Sequence, residues 1–355
     1  MNLRLSPQAS QRVLKGAPFI GAQDQLSFRI IPPAGTLLRA QTAEGDFLAH
    51  VISEGPRQAV AFRVLTRERH PDFTPGWWQA QVAQALAKRV ESHVGVPCRL
   101  VNAEADSLPA MVCDLWAPGV AALSVESAAA LPPLEAVEAA LQAQGKLTAL
   151  WRRLPAEKGA AALTPWQRSP LTPQAQPQWS LQEGPARLEL NFESGQVPPM
   201  ERRAWRAWLS GRAQARRVLV WGEAEWEILA ARSAGAAQVE TVKTDGFRQL
   251  EALAEKGERF DALMGVLPVE AKYPWGRFIF NKQGERIVGL LKALALPGAG
   301  LFLAGLPQDG QPHPGLDLKA GGLAWTPLAQ PADLPPLGPG LSASPPAWTA
   351  QLDPA

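Results

Sequence analysis

One stretch limits the fold of this chain more than any other: RRVLVWGEAEWEILAARSAGAAQVETVK, residues 216–243. Residues 216–222 form a short apolar run of the kind found in a strand buried on both faces. Residues 226–234 read as a helix, Gly235-Ala236-Ala237 as a turn back, and residues 238–243 as a second strand. Strand, helix and strand occupy roughly 28 residues, close to the minimum for a right-handed parallel crossover. Sheets built this way bind ligands outside the carboxyl ends of their strands, over the first turn. Val220, Trp221, Gly222, Glu223 and Glu225 are therefore where a nucleotide-like cofactor would sit.

The chemistry of that turn argues against such a ligand. A nucleoside-binding loop needs glycines so that the backbone can approach, and an acid ending the second strand to hold ribose hydroxyls. Here the turn is Trp221-Gly222-Glu223-Ala224-Glu225, with one glycine and two carboxylates, and the second strand ends at Lys243. Glu223 and Glu225 fit better as carboxylates favoured by a helix N-terminus. They would repel a phosphate, although not a sulfonium. No cofactor is expected on this reading.

At 355 residues the chain has room for two or three domains, and its 46% hydrophobic content is ample for their cores. A net charge of +2 means that affinity for nucleic acid must come from local patches rather than a global field. Cys98 and Cys113 are the two cysteines, too few for a disulfide framework and without metal spacing. His50, His70, His93 and His313 show no ligand spacing either, so no metal is expected. There is no export signal and no apolar run of about 18 residues, which makes a cytoplasmic protein without membrane contact the expectation.

Residues 1–70 predict a small β domain, with strands over 26–31, 37–43, 47–52 and 59–65 separated by Pro/Gly turns. After a linker at 71–75, a helix over 77–93 carries Trp78, Val82, Leu86 and Val90 as an apolar stripe. Strands follow over 99–101, 108–116, 120–125 and 147–153, with a helix over 134–143. Residues 155–185 read as an irregular connector, and 186–192 as a strand. Residues 201–217, ERRAWRAWLSGRAQARR, predict a basic helix with Trp205 and Trp208 on its apolar face. The remainder reads as a helix over 246–256, a strand over 259–267, a helix over 283–295 and a strand over 300–304. Beyond residue 306 the chain is proline-rich, with short strand candidates over 323–328 and 347–352.

The segment RLVNAEADSLPAMVCDLW, residues 99–116, resembles the RLVNGEGDGLPGLVVDRY-type signature of the ribosomal RNA large-subunit cytosine-5 methyltransferases. Lys15-Gly16-Ala17-Pro18-Phe19-Ile20 is similar to that family's GHPWVF start. Residues 45–49 with 61–65 fit its PUA domain, and 257–263 its GEKFDVI run. The resemblance implies an α/β chain with three domains. A small β-barrel PUA-like domain at 1–70 and a central α+β domain at 71–190 would precede a Rossmann-like class I methyltransferase domain at 191–355. S-adenosylmethionine would be the cofactor if the donor site works, and ribosomal RNA the partner.

The departures from the family fall on its catalytic parts. The first-strand Asp-Leu-Phe-x-Tyr-Thr-Gly-Gly loop is replaced by residues 220–226, and the ribose-binding acid falls at or near Lys243. The Asp-Pro-Pro motif falls on Val266-Leu267-Pro268, and the nucleophilic cysteine near Pro307. One α-β step after residue 243 is absent. Methylating C5 of cytosine needs a thiolate to add at C6, and no cysteine follows residue 113. Cys113, in an apolar strand, reads as a buried hydrophobe.

The expectation is thus an RNA-binding or ribosome-associated protein that has lost cytosine-5 transfer. The first alternative is a working methyltransferase with an altered site. The second is a structural scaffold or a partner of an active paralogue; RNA and a second copy of the chain are the partners considered. Val220, Trp221, Gly222, Glu223, Glu225, Lys243 and Pro268 mark the vestigial donor site. Arg63, Arg67, Arg202, Arg203 and Arg206 are the candidate RNA contacts, with plain solvated or core-packing roles as the bland reading, and Arg69 is weighed with them. Glu104 and Asp106 read as turn-stabilising or inter-domain polar residues.

Overall fold

The computed structural model describes residues 1–56, 60–90, 97–156, 163–268, 270–273, 276–306, 326–327 and 347–351. These fall into two compact units. The first holds Met1–Trp179 and Leu190–Val197; the second holds Ser180–Glu189 and the described residues from Pro198 onward.

The first unit contains two sheets. Strands β1 (Asn2–Arg4), β2 (Phe19–Gly21), β3 (Leu37–Gln41), β4 (Phe47–Ser53) and β5 (Val60–Thr66) form a five-stranded sheet in the order β1-β3-β4-β5-β2. Helix α1 (Pro7–Leu14) starts where the Ser6 hydroxyl accepts a bond from the Ala9 N–H at 3.2 Å, with proline at its first position. Its buried Ala9 and Val13 join Leu3, Ile20, Leu38, Val51 and Phe62 in one core. The strand expected over 26–31 does not form. The Gln25 side chain accepts from the Ser27 and Phe28 N–H groups and donates to the Phe28 carbonyl, which bends the chain instead.

The second sheet has the order β10-β9-β8-β7-β6, built from β6 (Cys98–Asn102), β7 (Met111–Ala117), β8 (Val120–Val125), β9 (Ala149–Arg153) and β10 (Gln167–Arg168). Helix α2 (Pro75–Val90) buries Trp78, Val82, Ala85 and Leu86 against it, and α3 (Leu134–Gly145) makes the crossover that sets β9 parallel to β8. The stripe read at four-residue spacing is the face that packs.

A hairpin, β11 (Gln178–Glu183) and β12 (Ala186–Asn191), lies partly inside the segment read as an irregular connector. It turns on Gly184 at φ +58°, the left-handed conformation that glycine adopts without strain.

The second unit is a six-stranded sheet in the order β14-β13-β15-β18-β20-β19. Strands β13 (Arg217–Gly222), β14 (Gln238–Val242), β15 (Phe260–Pro268) and β18 (Ala295–Leu306) are parallel. A small hairpin, β16 (Glu270–Tyr273) and β17 (Gly276–Ile279), stands apart as a sheet of its own. β19 (Thr326–Pro327) and β20 (Ala347–Gln351) close the far edge, with β20 antiparallel to β18. Helices α4 (Arg203–Ala213) and α5 (Glu225–Ser233) cover one face, α6 (Phe247–Glu255) and α7 (Phe280–Leu294) the other. Alternate residues of β13 serve the two cores: Leu219 and Trp221 on the α6–α7 side, Val218 and Val220 on the α4–α5 side. The basic helix is shorter than the sequence suggests. It ends at Ala213, and Ala215 takes φ +56° to release Arg217 into β13.

Candidate functional site

The chain runs from β13 to the edge strand β14, then through α6 to β15 on the other side of β13. The carboxyl ends of β13 and β15 are therefore the switch point where a sheet of this kind takes a ligand. The residues there are the ones marked from sequence.

Gly222, the last residue of β13, has φ +107°. A Cβ built on it would lie 1.8 Å from the Val266 carbonyl oxygen of β15. The next amide, Glu223 N–H, donates to that same carbonyl at 3.1 Å. The one glycine of the turn thus serves a close approach between two strands, and the first amide of the turn is already engaged. The Trp221 ring is fully buried and meets Phe247 of α6 edge to face, with centroids 4.9 Å apart. Its indole N–H has no partner among the described residues. Val220 points to the opposite core. Glu223 and Glu225 are exposed at the start of α5, and Lys243 is exposed directly after β14. Pro268 pairs with Leu306 at the end of the β15–β18 ladder, and the position near Pro307 lies outside the described residues, as do His93 and His313.

S-adenosylmethionine held in the usual way needs an open glycine loop with free amides and a carboxylate at the end of the second strand. Here a tight strand contact, a spent amide and a lysine occupy those places. The residues present do not fit that grip.

The thiolate chemistry fares no better. Cys98 and Cys113 are both buried in the core of the first unit. Burial pushes the Cys113 thiol well up, Asp114 and Cys98 add to the effect, and Arg99 opposes it. A thiol in that setting stays protonated and inert.

The structure corrects two of the five arginines read as RNA contacts. Arg206 has no exposure at all. Its guanidinium grips Glu183 through two bonds, Nε to Oε2 at 2.6 Å and Nη2 to Oε1 at 2.7 Å, and donates to the Pro199 carbonyl at 2.8 Å. It is a buried cross-link between α4 and the β11–β12 hairpin. Arg63 lies between Glu54 and Glu104, and donates to Glu104 at 2.5 Å. Burial works against its charge, but the two carboxylates hold the guanidinium above its ordinary value. Arg67 is exposed, and among the described residues it makes long contacts to the Val13 and Ala17 carbonyls at 3.3 and 3.5 Å. Arg202 is half-buried. It donates to the Glu223 carbonyl at 3.0 Å and lies 5.3 Å from the Trp205 ring centre, bracing the turn after β13. Arg203, also half-buried, reaches the Met200 sulfur at 3.8 Å.

Glu104 and Asp106 take the structural roles read for them. Glu104 accepts from Arg63 and from the Ala110 N–H at 3.2 Å. Asp106 accepts from the Asn102 N–H at 2.7 Å and pairs with Arg89.

One group the sequence reading missed is Glu227 of α5. It is completely buried, and neither carboxylate oxygen has a hydrogen-bond partner among the described residues. Burial raises its pKa; Arg206, Arg202 and the backbone of Glu227 itself oppose the rise, and Glu183 adds to it. The signal was in the sequence: Glu227 shares the i, i+3, i+4 stripe of α5 with Ala230 and Ala231, both buried.

Among the described residues no group of three His, Cys, Asp or Glu side chains could hold a metal ion, and no helix is long and apolar enough to cross a membrane.

No protein-family model and no curated protein matches the sequence. Solved structures do match. One is SMU.776, a candidate methyltransferase complexed with SAH: TM-score 0.75 and 13% identity over 99% of this chain and 100% of that one. Another is a candidate SAM-dependent methyltransferase from Streptococcus mutans: TM-score 0.72 and 12% identity, over 99% and 100% of the two chains. The chain has the mixed α/β fold of these proteins, with a Rossmann-like sheet in its second unit.

Proposed function

We propose that this protein binds RNA, ribosomal RNA first among the candidates, on a methyltransferase scaffold that has lost cytosine-5 transfer. The observation that carries the loss is the closed turn after β13. Gly222 is packed onto the Val266 carbonyl and the Glu223 amide is bonded to it, while Lys243 stands where a ribose-binding acid is needed. The absence of a usable thiol agrees, since both cysteines are buried and adding a thiolate to C6 is the step that makes C5 a nucleophile. The RNA half rests on the resemblance of residues 99–116 to an RNA-modifying family and on exposed arginines such as Arg67, which supply sequence-independent affinity for phosphate.

Two assays test the two halves. Filter binding to ribosomal RNA fragments across a salt series should give affinity that falls steeply with salt. Incubation of the same RNA with methyl-labelled S-adenosylmethionine should leave no label on cytosine C5. A flat salt response would remove the RNA reading; label on C5 that depends on this protein would remove the loss of transfer. A second reading, methyl transfer to an atom that needs no thiolate, draws on the exposed Glu223 and Glu225 carboxylates, which would not repel a sulfonium. Label elsewhere on the RNA would favour it.

A further inference from the structure

The first unit carries a row of aromatic rings that the fold alone does not require to be accessible. Phe47 at the start of β4, His50 on the same strand, Phe73 in the following segment and Trp77 of α2 succeed one another with centroids 5.1–5.3 Å apart. Phe47, Phe73 and Trp77 are half-exposed. Two guanidinium groups lie over the Phe47 ring, Arg39 at 5.4 Å and Arg69 at 5.7 Å from its centre. Both arginines are exposed, and neither pairs with a carboxylate among the described residues.

The register explains the convergence. Arg39 of β3 faces His50 of β4 across the ladder, and the His50 ring nitrogen bonds the Arg69 carbonyl at 3.3 Å. That bond ties the chain after β5 to β4. His50 reports the local field: burial lowers its pKa first, the Arg69 carbonyl opposes, and Arg39 and His70 lower it further. Exposed guanidinium groups with no carboxylate partner among the described residues, set beside a row of half-exposed rings, suit a ligand that has both phosphates and unpaired bases. Stacking on aromatic side chains, with arginines tracking the backbone, is how single strands are held without sequence preference.

We propose that single-stranded RNA docks along this row, its phosphates on Arg39 and Arg69 and its bases against the half-exposed rings that Phe47 begins. The proposal rests on the RNA reading above and adds the surface that serves it. Duplex RNA is disfavoured here because its bases are not free to stack.

The test uses the full chain, a short oligouridine and a hairpin RNA of equal length, titrated by filter binding over a salt series. The variants are Arg39→Gln/Arg69→Gln and Phe47→Leu, with Arg187→Gln, an exposed arginine of the β11–β12 hairpin, as control. Losing two phosphate contacts should reduce the slope of log affinity against log salt by about 1.4, and Phe47→Leu should cost about tenfold in affinity. The control should bind as the parent does, and thermal midpoints should stay put. If the parent binds oligouridine and the double variant binds it equally, this surface is wrong while the RNA reading survives. If the parent binds no RNA, both fall. Equal affinity for polyglutamate would overturn the base-stacking part of the proposal.

Discussion

Replacing Arg206 by alanine should damage the fold of the second unit rather than loosen a nucleic-acid surface. The side chain is fully buried, makes two bonds to Glu183 and one to the Pro199 carbonyl, and lies close enough to Glu227 to offset part of the burial penalty on that carboxyl. Removing one partner of a buried ion pair leaves an uncompensated charge and costs about 3–5 kcal/mol. For a unit of this size each kcal/mol is worth about 2–4 °C, so the midpoint should fall by about 10 °C. Urea denaturation followed by tryptophan fluorescence reads this directly, because Trp205 and Trp208 lie on the same helix. The double variant Arg206→Met/Glu183→Leu removes both charges and should recover most of the loss. A change below about 1 kcal/mol for Arg206→Ala, accompanied by weakened RNA binding, would return Arg206 to the surface role read from sequence.

Four further substitutions have expected outcomes. Glu227 has a raised pKa in the folded state, so the stability it contributes is present below its unfolded value near 4.3 and is lost as pH rises through the folded value. Glu227→Gln should therefore gain on the parent as pH rises from about 4 to 8; parallel denaturation curves would contradict this. Gly222→Ala puts a Cβ 1.8 Å from the Val266 carbonyl at a φ of +107° and should cost about 3 kcal/mol or more by thermal or urea unfolding. A neutral substitution would mean that the β13–β15 contact is loose. Ser107 holds φ +56° and is half-buried, so Ser107→Gly should stabilise by about 0.5–1 kcal/mol, the left-handed penalty less the extra freedom of glycine in the unfolded chain. Ala110→Gly at φ +59° should give almost no net change, because Ala110 also loses a buried methyl worth about 0.8 kcal/mol.

The strands and helices that carry a plain hydrophobic period were legible in the sequence. β13, α5 and β14 fall within a residue or two of expectation, and so does the α2 stripe. What escaped was set by local side-chain chemistry or by tertiary charge. Gln25 bonds its own neighbours and cancels a strand that propensity favours. The hairpin turning on Gly184 hid in a polar segment whose alternation is weak. Arg206 and Arg202 look alike in a basic helix, yet one is buried against a carboxylate supplied from 23 residues upstream, and no local pattern announces that partner. At the candidate site the residue types were legible and the negative chemistry of the turn could be argued from them. That Gly222 is spent on the Val266 carbonyl could not, because the contact depends on the register of β13 against β15.

The most direct measurement is isothermal titration of the full chain with S-adenosylmethionine and with S-adenosylhomocysteine. The closed turn over Trp221–Gly222–Glu223 and the lysine after β14 predict no saturable heat up to about 1 mM ligand, an affinity weaker than about −4 kcal/mol. A stoichiometric isotherm with a dissociation constant near 1 µM, about −8 kcal/mol, would contradict the account and show that this scaffold still holds the methyl donor.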